Sequence, residues 1–440
     1  LIEIEGKEMN FAQALQYLED LNVFGSQLGL TRIQQLMELL GRPQVQYRTI
    51  HVTGTNGKGS VTAMLAGILT QSGIRTGMYV SPHLLSYTER MQIDGQTISE
   101  QDFADSIAAA RAAADKMVAG GAEQPTQFEI LTAAAFWYFK QQSVEYAVIE
   151  VGLGGLLDST NVITPEVSVI TNVTMEHADR CGGTLAGIAH HKAGIIKAGV
   201  PVVTAAAGEP LKILQAAAAE KNTDIFIAGQ DFSSSFVSFD GQAQHLEFSS
   251  GLLGAVKEPY DLQMLGAHQI ENSALAVMTA QLLHNTDERI TPETIALALA
   301  ITSWPGRFER MDQGGQRIII DGAHNPDGMR ALRQSLDLYY PAQERVILLG
   351  ILKDKDIHTM LETLLRPNDT VVVTAPNSER ASDPAVVARQ IRTQHVEVQP
   401  DPAEALSRAL ELANGERLLC AAGSLYLIGG IRQQLLNKKE

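Results

Sequence analysis

Apolar positions along the first three hundred residues switch between two periods. Phe11, Ala14, Leu15, Leu18 and Leu21 recur at helical spacing and predict an amphipathic helix over 10–21. A second helix is predicted from Thr31, read as its N-cap, to Leu40, where Gly41 and Pro43 stop it; residues 25–30 form the loop between. Short β-branched runs then mark strands at Ile50–Thr53, Gly77–Val80, Ala147–Val151, Val167–Asn172 and Val200–Val203. Helices are predicted between them: one after the glycines at 54–59, ending near Gly73; an Ala-rich one over 100–119; one from Phe128 to Gln141 behind Thr126 as cap; and one carrying His190 to Lys197. This alternation predicts an α/β fold with a doubly wound parallel sheet.

The pattern changes over residues 225–265. Phe236–Phe239 and His245–Phe248, flanking Asp240-Gly241, read as a hairpin, and Tyr260–Leu265 as a third strand, giving a small antiparallel flap on the first domain. A long helix follows from Gly266 to about His284. Trp304-Pro305-Gly306-Arg307 breaks the pattern, dividing the chain into domains of 1–303 and 304–440. The second domain alternates again, with strands at 317–321, 345–350, 370–374, 396–398 and 417–421. Its helices lie at about 327–338, 356–365, 384–393, 402–413 and 424–436, so it reads as a smaller Rossmann-like α/β domain.

A chain of 440 residues supports two or three such domains. No run is apolar enough to span a bilayer, and no stretch reads as a signal peptide. The two cysteines, Cys181 and Cys420, are far apart and outside metal-type spacing, which fits a reducing cytoplasm. A net charge of −16 argues against nucleic acid as a partner. It also requires that an anionic substrate be captured by local donors and metal rather than by the overall field.

Chemistry concentrates where predicted strands end. Ile50–Thr53 runs into Gly54-Thr55-Asn56-Gly57-Lys58-Gly59-Ser60 and then a helix, a phosphate cradle. Glycines let backbone N–H groups approach phosphate oxygens, and the helix N-terminus adds unpaired donors. Lys58 can reach terminal phosphates, and the Ser60 hydroxyl can ligate a phosphate-bound Mg²⁺. The spacing departs from the common phosphate loop: Gly54 and Gly57 stand three apart, and Gly59 separates Lys58 from Ser60. Glu150 is a carboxylate in an otherwise apolar strand, costly to bury without a cation, and is the first metal candidate; pairing with a Lys or Arg is the alternative. Ser81-Pro82-His83-Leu84 and Asp321-Gly322-Ala323-His324-Asn325-Pro326 sit at strand ends, where open α/β sheets bind ligands. His177 taken alone reads as a structural hydrogen-bonder, and His190 and His191, being adjacent, as a poor chelate.

Together these residues resemble the folylpolyglutamate synthase and dihydrofolate synthase family, within the Mur-type amide ligases. The likeness covers nearly the whole chain: the phosphate loop, Gly29-Leu30-Thr31-Arg32-Ile33, Ser81–Leu84, Glu89-Arg90, Thr126–Glu129, Glu150–Gly155, Asp158–Asn161, Lys192–Lys197, Gly266–Asn272, Trp304–Arg307, Asp321–Pro326 and Gly423–Tyr426. The resemblance implies an ATP-dependent ligase that phosphorylates a folate carboxylate and displaces the phosphate with the amine of L-glutamate. It implies Thr55, Asn56, Gly57, Lys58, Gly59 and Ser60 around the ATP phosphates, and Ser60, Ser81, Glu150 and His177 around one or two Mg²⁺ ions. Lys192 matches a lysine that the family carries as a carbamate, a form that would make it an anionic metal ligand; unmodified, it would be a structural or phosphate-facing ammonium. Asn272 matches an adenine contact, with Gln269 or His268 beside it. Arg307, Asp321 and His324 match the second domain's contributions to ATP and glutamate, and Ser424 a glutamate-site motif. Ser81, Pro82, Phe128 and Asp158 match the folate side. A water-excluding site built from both domains and a monomeric enzyme are expected.

Three positions depart from the family pattern. Glu176 stands where Asp is usual, His191 where Glu is usual, and Leu156 where Arg is usual. The lost guanidinium removes a group able to orient carboxylates. The expected acceptor is tetrahydrofolate, with dihydropteroate a second acceptor if the chain is bifunctional. A cell-wall Mur ligase and a non-catalytic nucleotide- or folate-binding relative are the alternatives.

Overall fold

The β-branched runs of the first two hundred and thirty residues form one sheet. The structure, a computed structural model, describes residues 9–21, 27–176, 180–251 and 257–437. The sheet's strands are β1 (Arg48–Thr53), β2 (Thr76–Tyr79), β3 (Met91–Ile93), β4 (Gln96–Thr97), β5 (Tyr146–Glu150), β6 (Val167–Ile170), β7 (Val202–Thr204) and β8 (Ile225–Ile227), in the order β4-β3-β2-β5-β1-β6-β7-β8. From β2 to β8 all neighbours are parallel; β3 and β4 add an antiparallel edge. That hairpin is absent from the sequence reading, although its turn is an Asp-Gly pair with positive φ at both residues (Asp94 50°, Gly95 76°).

The helices of this part are α1 (Phe11–Asp20), α2 (Thr31–Leu39), α3 (Lys58–Gln71), α4 (Glu100–Ala119), α5 (Gln127–Gln141), α6 (Leu185–Ala193) and α7 (Gly208–Glu220). Asn10 and Gln13 close a capping box on α1, and Thr126 and Glu129 one on α5. Thr31 is not the cap of α2: it is the first helical residue, behind Leu30, which makes no side-chain cap bond. Helix α6 stops at Ala193 rather than continuing to Lys197, and the Asn161 amide donates to the carbonyls of both Gly194 and Leu156. Helix α3 is buried from Ser60 to Ala66, consistent with its lack of a polar stripe.

Beyond this sheet lie β9 (Phe232–Phe239), β10 (Gln244–Ser250) and β11 (Lys257–Leu262), a three-stranded flap in the order β11-β10-β9, and then α8 (Ala267–His284) and α9 (Pro292–Ile301). The second sheet has β12 (Glu309–Gln313), β13 (Gln316–Ile320), β14 (Arg345–Leu349), β15 (Thr370–Val373), β16 (His395–Val398) and β17 (Leu418–Ala422), ordered β12-β13-β17-β14-β15-β16. It is parallel except for the β12–β13 hairpin. Its helices are α10 (Pro326–Tyr339), α11 (Ile357–Leu364), α12 (Pro384–Ala388), α13 (Pro402–Ala413) and α14 (Leu425–Asn437).

The chain groups into two units. Unit 1 holds Leu1–Ser234, Glu247–Tyr260 and Glu271–Leu299; unit 2 holds Ser235–Leu246, Asp261–Ile270 and Ala300–Glu440. The sequence pattern placed the whole flap on the first domain, whereas its residues 235–246 group with unit 2. There the Phe239 ring lies 4.8 Å from that of Tyr339, and the Tyr339 hydroxyl donates to Gln244 at 2.7 Å. Among the described residues no helix is long and apolar enough to cross a membrane.

Candidate active site

Strand β1 lies between β5 and β6, and its carboxyl end opens into the glycine loop. The loop is tied down by its neighbours. Asn56 N–H donates to Asn172 Oδ1 at 2.9 Å, Thr171 Oγ1 donates to Asn56 O at 2.6 Å, and the Thr55 hydroxyl bonds Thr174 O at 3.2 Å. Gly57 has φ of 87°, and a Cβ there would fall 2.4 Å from Asn272 Oδ1, so glycine is required by conformation and by space. Asn272 thus packs on the phosphate loop itself. Gly59 and Ser60 stand in the first turn of α3, where N–H groups lack helical partners. Lys58 folds back, its Nζ donating to Gly54 O at 3.0 Å and Thr55 O at 3.1 Å.

Glu150 ends β5 and is buried; its Oε2 accepts the Ser81 N–H at 3.0 Å, just beyond β2. Ser60 is also buried. Two hydroxyls and one carboxylate are hard oxygen donors, the kind that fits Mg²⁺, an ion commonly held by one or two carboxylates together with substrate phosphates. Among the described residues no group of three or more His, Cys, Asp or Glu gathers as a metal cluster. His177 lies outside the described residues.

A small cavity of about 30 Å³ adjoins the loop, lined by Thr55, Lys58, Gly152, Leu153, Cys181 and Lys192 among others. Lys192 is buried, and desolvation, with a smaller contribution from Lys58, pulls its pKa down to about 7. An amine that is substantially neutral at physiological pH is nucleophilic, as carbamylation requires. His191 and Leu156 meet through backbone: Leu156 N–H donates to His191 O at 2.7 Å. The Leu156 side chain is exposed, and Glu176 lines the small cavity.

A larger cavity of about 420 Å³ is lined by Ser81, Pro82, Arg90, Phe128, Leu153 and Asp158 among others. All four residues expected on the folate side line it. Gly152 and Leu153 line both cavities, so the two adjoin. A Cβ on Gly152 would fall 2.4 Å from Phe128 Cζ; the glycine lets the ring reach the wall. Asp158 is buried and accepts from Leu153 N (2.8 Å), Thr160 N (3.0 Å) and Thr160 Oγ1 (2.5 Å). Burial pushes its carboxyl above the usual range, and these bonds oppose the shift.

In unit 2, Asp321 follows β13 and is buried, its two oxygens accepting Phe308 N and Ala323 N, each at 2.8 Å. His324 Nδ1 donates to Gly322 O at 2.7 Å. Ser424 is buried just before α14, and its Oγ accepts Tyr426 N at 3.2 Å. Burial, with help from Arg307, lowers His268 to about 4, so that histidine is neutral. Gln269 is fully buried. A cavity of about 840 Å³ in this unit is lined by Trp304, Arg307, Arg310 and Tyr339 among others; Asp321, His324 and Ser424 do not line it.

Sequence reading gave no role to Arg90. It is 9% exposed, its Nε donates to His83 Nδ1 at 2.9 Å, and its guanidinium lies 5.1 Å from the Tyr87 ring centre. It brings a cation to a cavity that also holds a carboxylate. His51 and Thr53 were likewise passed over. The available signal was two polar residues in a central parallel strand, where a continuous apolar run is the rule.

The fold is that of a Mur-type ligase. The Mur ligase middle domain matches residues 52–280, and the Mur ligase glutamate ligase domain matches residues 306–425. Among curated relatives, folylpolyglutamate synthase of Lacticaseibacillus casei is 36% identical over 98% of this chain and 100% of its own length. Dihydrofolate synthase/folylpolyglutamate synthase of Bacillus subtilis is 32% identical over 94% of this chain and 96% of its own. The crystal structure of Mycobacterium tuberculosis folylpolyglutamate synthase complexed with ADP and AMPPCP superposes with a TM-score of 0.86 at 30% identity, covering 97% of this chain and 99% of that one. The chain belongs to the folylpolyglutamate synthase and dihydrofolate synthase family.

Proposed function

We propose that this chain is an ATP-dependent ligase that adds L-glutamate to folates, extending tetrahydrofolate and also converting dihydropteroate to dihydrofolate. The observation that carries the reading is the shared Gly152–Leu153 wall between a phosphate-loop cavity and a cavity able to take a flat heterocycle. A carboxylate of a substrate in the larger cavity would meet the terminal phosphate of ATP at that wall. The names of the relatives from L. casei and B. subtilis support the substrate class, and the second supports bifunctionality.

The folate carboxylate attacks the γ-phosphorus, and ADP leaves. The glutamate amine then attacks the acyl carbon, loses a proton and expels phosphate, leaving an amide. Thr55, Asn56, Gly57, Gly59 and Ser60 supply donors to the phosphates, and Lys58 neutralises charge that develops on them. Phe128 stacks on the heterocycle, while Ser81, Pro82, Asp158 and Arg90 shape its cavity. Asn272 contacts adenine, Arg307 and Asp321 serve ATP, and His324 and Ser424 bind glutamate. Ser60, Ser81, Glu150, His177 and a carbamylated Lys192 would hold Mg²⁺, which supplies neutralisation of phosphate charge when bound. The proposed division is ATP and folate on 1–303 and glutamate ligation on 304–440, in a monomeric cytoplasmic enzyme.

The test is incorporation of labelled glutamate, dependent on ATP and Mg²⁺, into dihydropteroate and tetrahydrofolate in parallel. Incorporation into both is expected. Incorporation into tetrahydrofolate alone would remove the bifunctional reading, and incorporation into neither, with ATP bound, would remove the ligase. A ¹³C-bicarbonate carbamate resonance that disappears in Lys192→Ala tests the modification.

A further inference from the structure

His51 and Thr53 stand two apart on one face of β1, and both are fully buried. Neither lines the phosphate-loop cavity or the larger cavity beside it. Each reaches across to the segment that follows β5. Thr53 Oγ1 donates to Gly154 O at 2.7 Å, and His51 Nε2 lies 2.9 Å from Thr160 Oγ1. Thr160 Oγ1 in turn donates to Asp158 Oδ1 at 2.5 Å. The strand that delivers the phosphate loop therefore also holds both ends of the 154–160 segment, which carries three wall residues of the larger cavity, Leu157, Asp158 and Ser159.

The direction of the chain of bonds is fixed by proton counting. A threonine hydroxyl has one hydrogen, and here the Asp158 carboxylate takes it. His51 Nε2 must then be the donor to Thr160 Oγ1. The second ring nitrogen agrees: Nδ1 is buried with no hydrogen-bond partner, a position tolerable for a lone pair and costly for an N–H. Burial, with the nearby Lys197 charge, lowers the ring to about 3, so it remains neutral. His51 donates to Thr160, Thr160 to Asp158, and the backbone N–H groups of Leu153 and Thr160 also donate to Asp158. With every protein contact a donor, Asp158 is held as an acceptor only. The edge of a ligand it can bind is one that presents N–H groups.

We propose that His51 is a positioning residue for folate recognition: acting through Thr160, it fixes Asp158 as an oriented, acceptor-only carboxylate, so that β1 registers the folate cavity against the phosphate loop. The inference rests on the reading of Asp158 as a folate contact.

The experiment is steady-state kinetics on the full chain, with KM for folate and for ATP measured separately in His51→Leu, His51→Gln, Thr160→Val and the His51→Leu/Thr160→Val double variant. His51→Leu and Thr160→Val should each raise the folate KM about 10-fold, the effect of one buried hydrogen bond, with ATP KM unchanged. His51→Gln, which keeps an N–H near the Nε2 position, should restore most of that loss. The double variant should be no worse than the poorer single one, because both cut the same chain. Additive losses, an ATP KM that rises equally, or no rescue by glutamine would overturn the proposal and leave His51 a packing residue. If His51→Leu does not fold, Thr160→Val breaks the same chain at its other link. Asp158→Asn separates the two readings. An unchanged folate KM there removes Asp158 from recognition and the inference with it, whereas a raised KM alongside silent His51→Leu and Thr160→Val variants removes the inference alone.

Discussion

The backbone N–H of Ser81 donates a 3.0 Å hydrogen bond to Oε2 of Glu150, joining the ends of two parallel strands through a buried carboxylate. Glu150→Gln keeps an acceptor for that N–H and removes the charge. The half-saturating Mg²⁺ concentration for ADP release should rise at least about 10-fold, with an unchanged thermal midpoint, because loss of one anionic ligand weakens a hard cation more than it disturbs the neighbouring backbone. An unaltered Mg²⁺ titration would take Glu150 out of the metal site.

Lys58 spends its ammonium on two carbonyls of its own loop, Gly54 O and Thr55 O. Such local bonds on a part-exposed side chain contribute little to folding, so Lys58→Ala should change stability by less than about 1 kcal/mol. The same substitution removes the loop's charge on the transferring phosphoryl group and should lower turnover about 10²-fold or more. Near-normal turnover with folding intact would show that the phosphate loop lies elsewhere.

The two-sheet α/β architecture was legible because strands buried on both faces read as β-branched runs, and the phosphate loop because glycine, lysine and serine follow such a run directly. The exposed edges were not. Strand β4 (Gln96–Thr97) is two residues long and β12 (Glu309–Gln313) is polar, so neither carries an apolar signature, and only the turns Asp94-Gly95 and Gly314-Gly315 mark them. In the candidate site, Asp158 and Phe128 were found through motif likeness. Arg90 was part of the motif likeness but was given no role there, because its place in the wall depends on a cavity closed by residues up to 69 positions away, the distance from Arg90 to Ser159. No local pattern encodes that approach. Thr31 looked like a cap by residue type, yet Leu30 occupies the cap position, since packing of Ile33, Leu36 and Met37 sets where the helix starts.

Arg32 ties α2 to the start of α5. Its Nε bonds Glu129 Oε2 at 3.0 Å and its Nη2 donates to Gln27 O at 2.9 Å, on the rim of the larger cavity. The Glu129 side chain is only 3% exposed, so Arg32→Met would leave a carboxylate supported by Thr126 alone. We expect a loss of about 2–3 kcal/mol in chemical denaturation and a raised folate KM. Glu123, the other partner of Arg32, is 77% exposed, and Glu123→Gln should cost no more than about 0.5 kcal/mol. Equal effects from the two variants would mean that the buried pair is not what holds this wall.

His51 should also make unit 1 acid-sensitive, in a direction fixed by its environment. In the folded chain it takes a proton only near pH 3, against about 6.5 for an ordinary histidine, because burial disfavours the imidazolium. Between those values the unfolded chain holds a proton that the folded chain lacks. Stability must therefore fall as pH drops from about 6.5 toward 3, by up to about 1.4 kcal/mol per pH unit from this group. His83, lowered to about 4, acts in the same direction over a narrower range, so the slope steepens where both are out of balance. His51→Gln removes one proton from that difference. Trp137 lies on α5 in unit 1 and the only other tryptophan, Trp304, in unit 2, so a Trp304→Phe background lets Trp137 fluorescence report unit 1 unfolding. Urea midpoints at pH 7, 6, 5 and 4.5 should decline less steeply with His51→Gln than without it. Parallel slopes would mean that His51 binds its proton as readily in the folded chain as in the unfolded one; Nε2 would still donate to Thr160, but the buried Nδ1 would then carry an N–H with no partner, against the neutral tautomer.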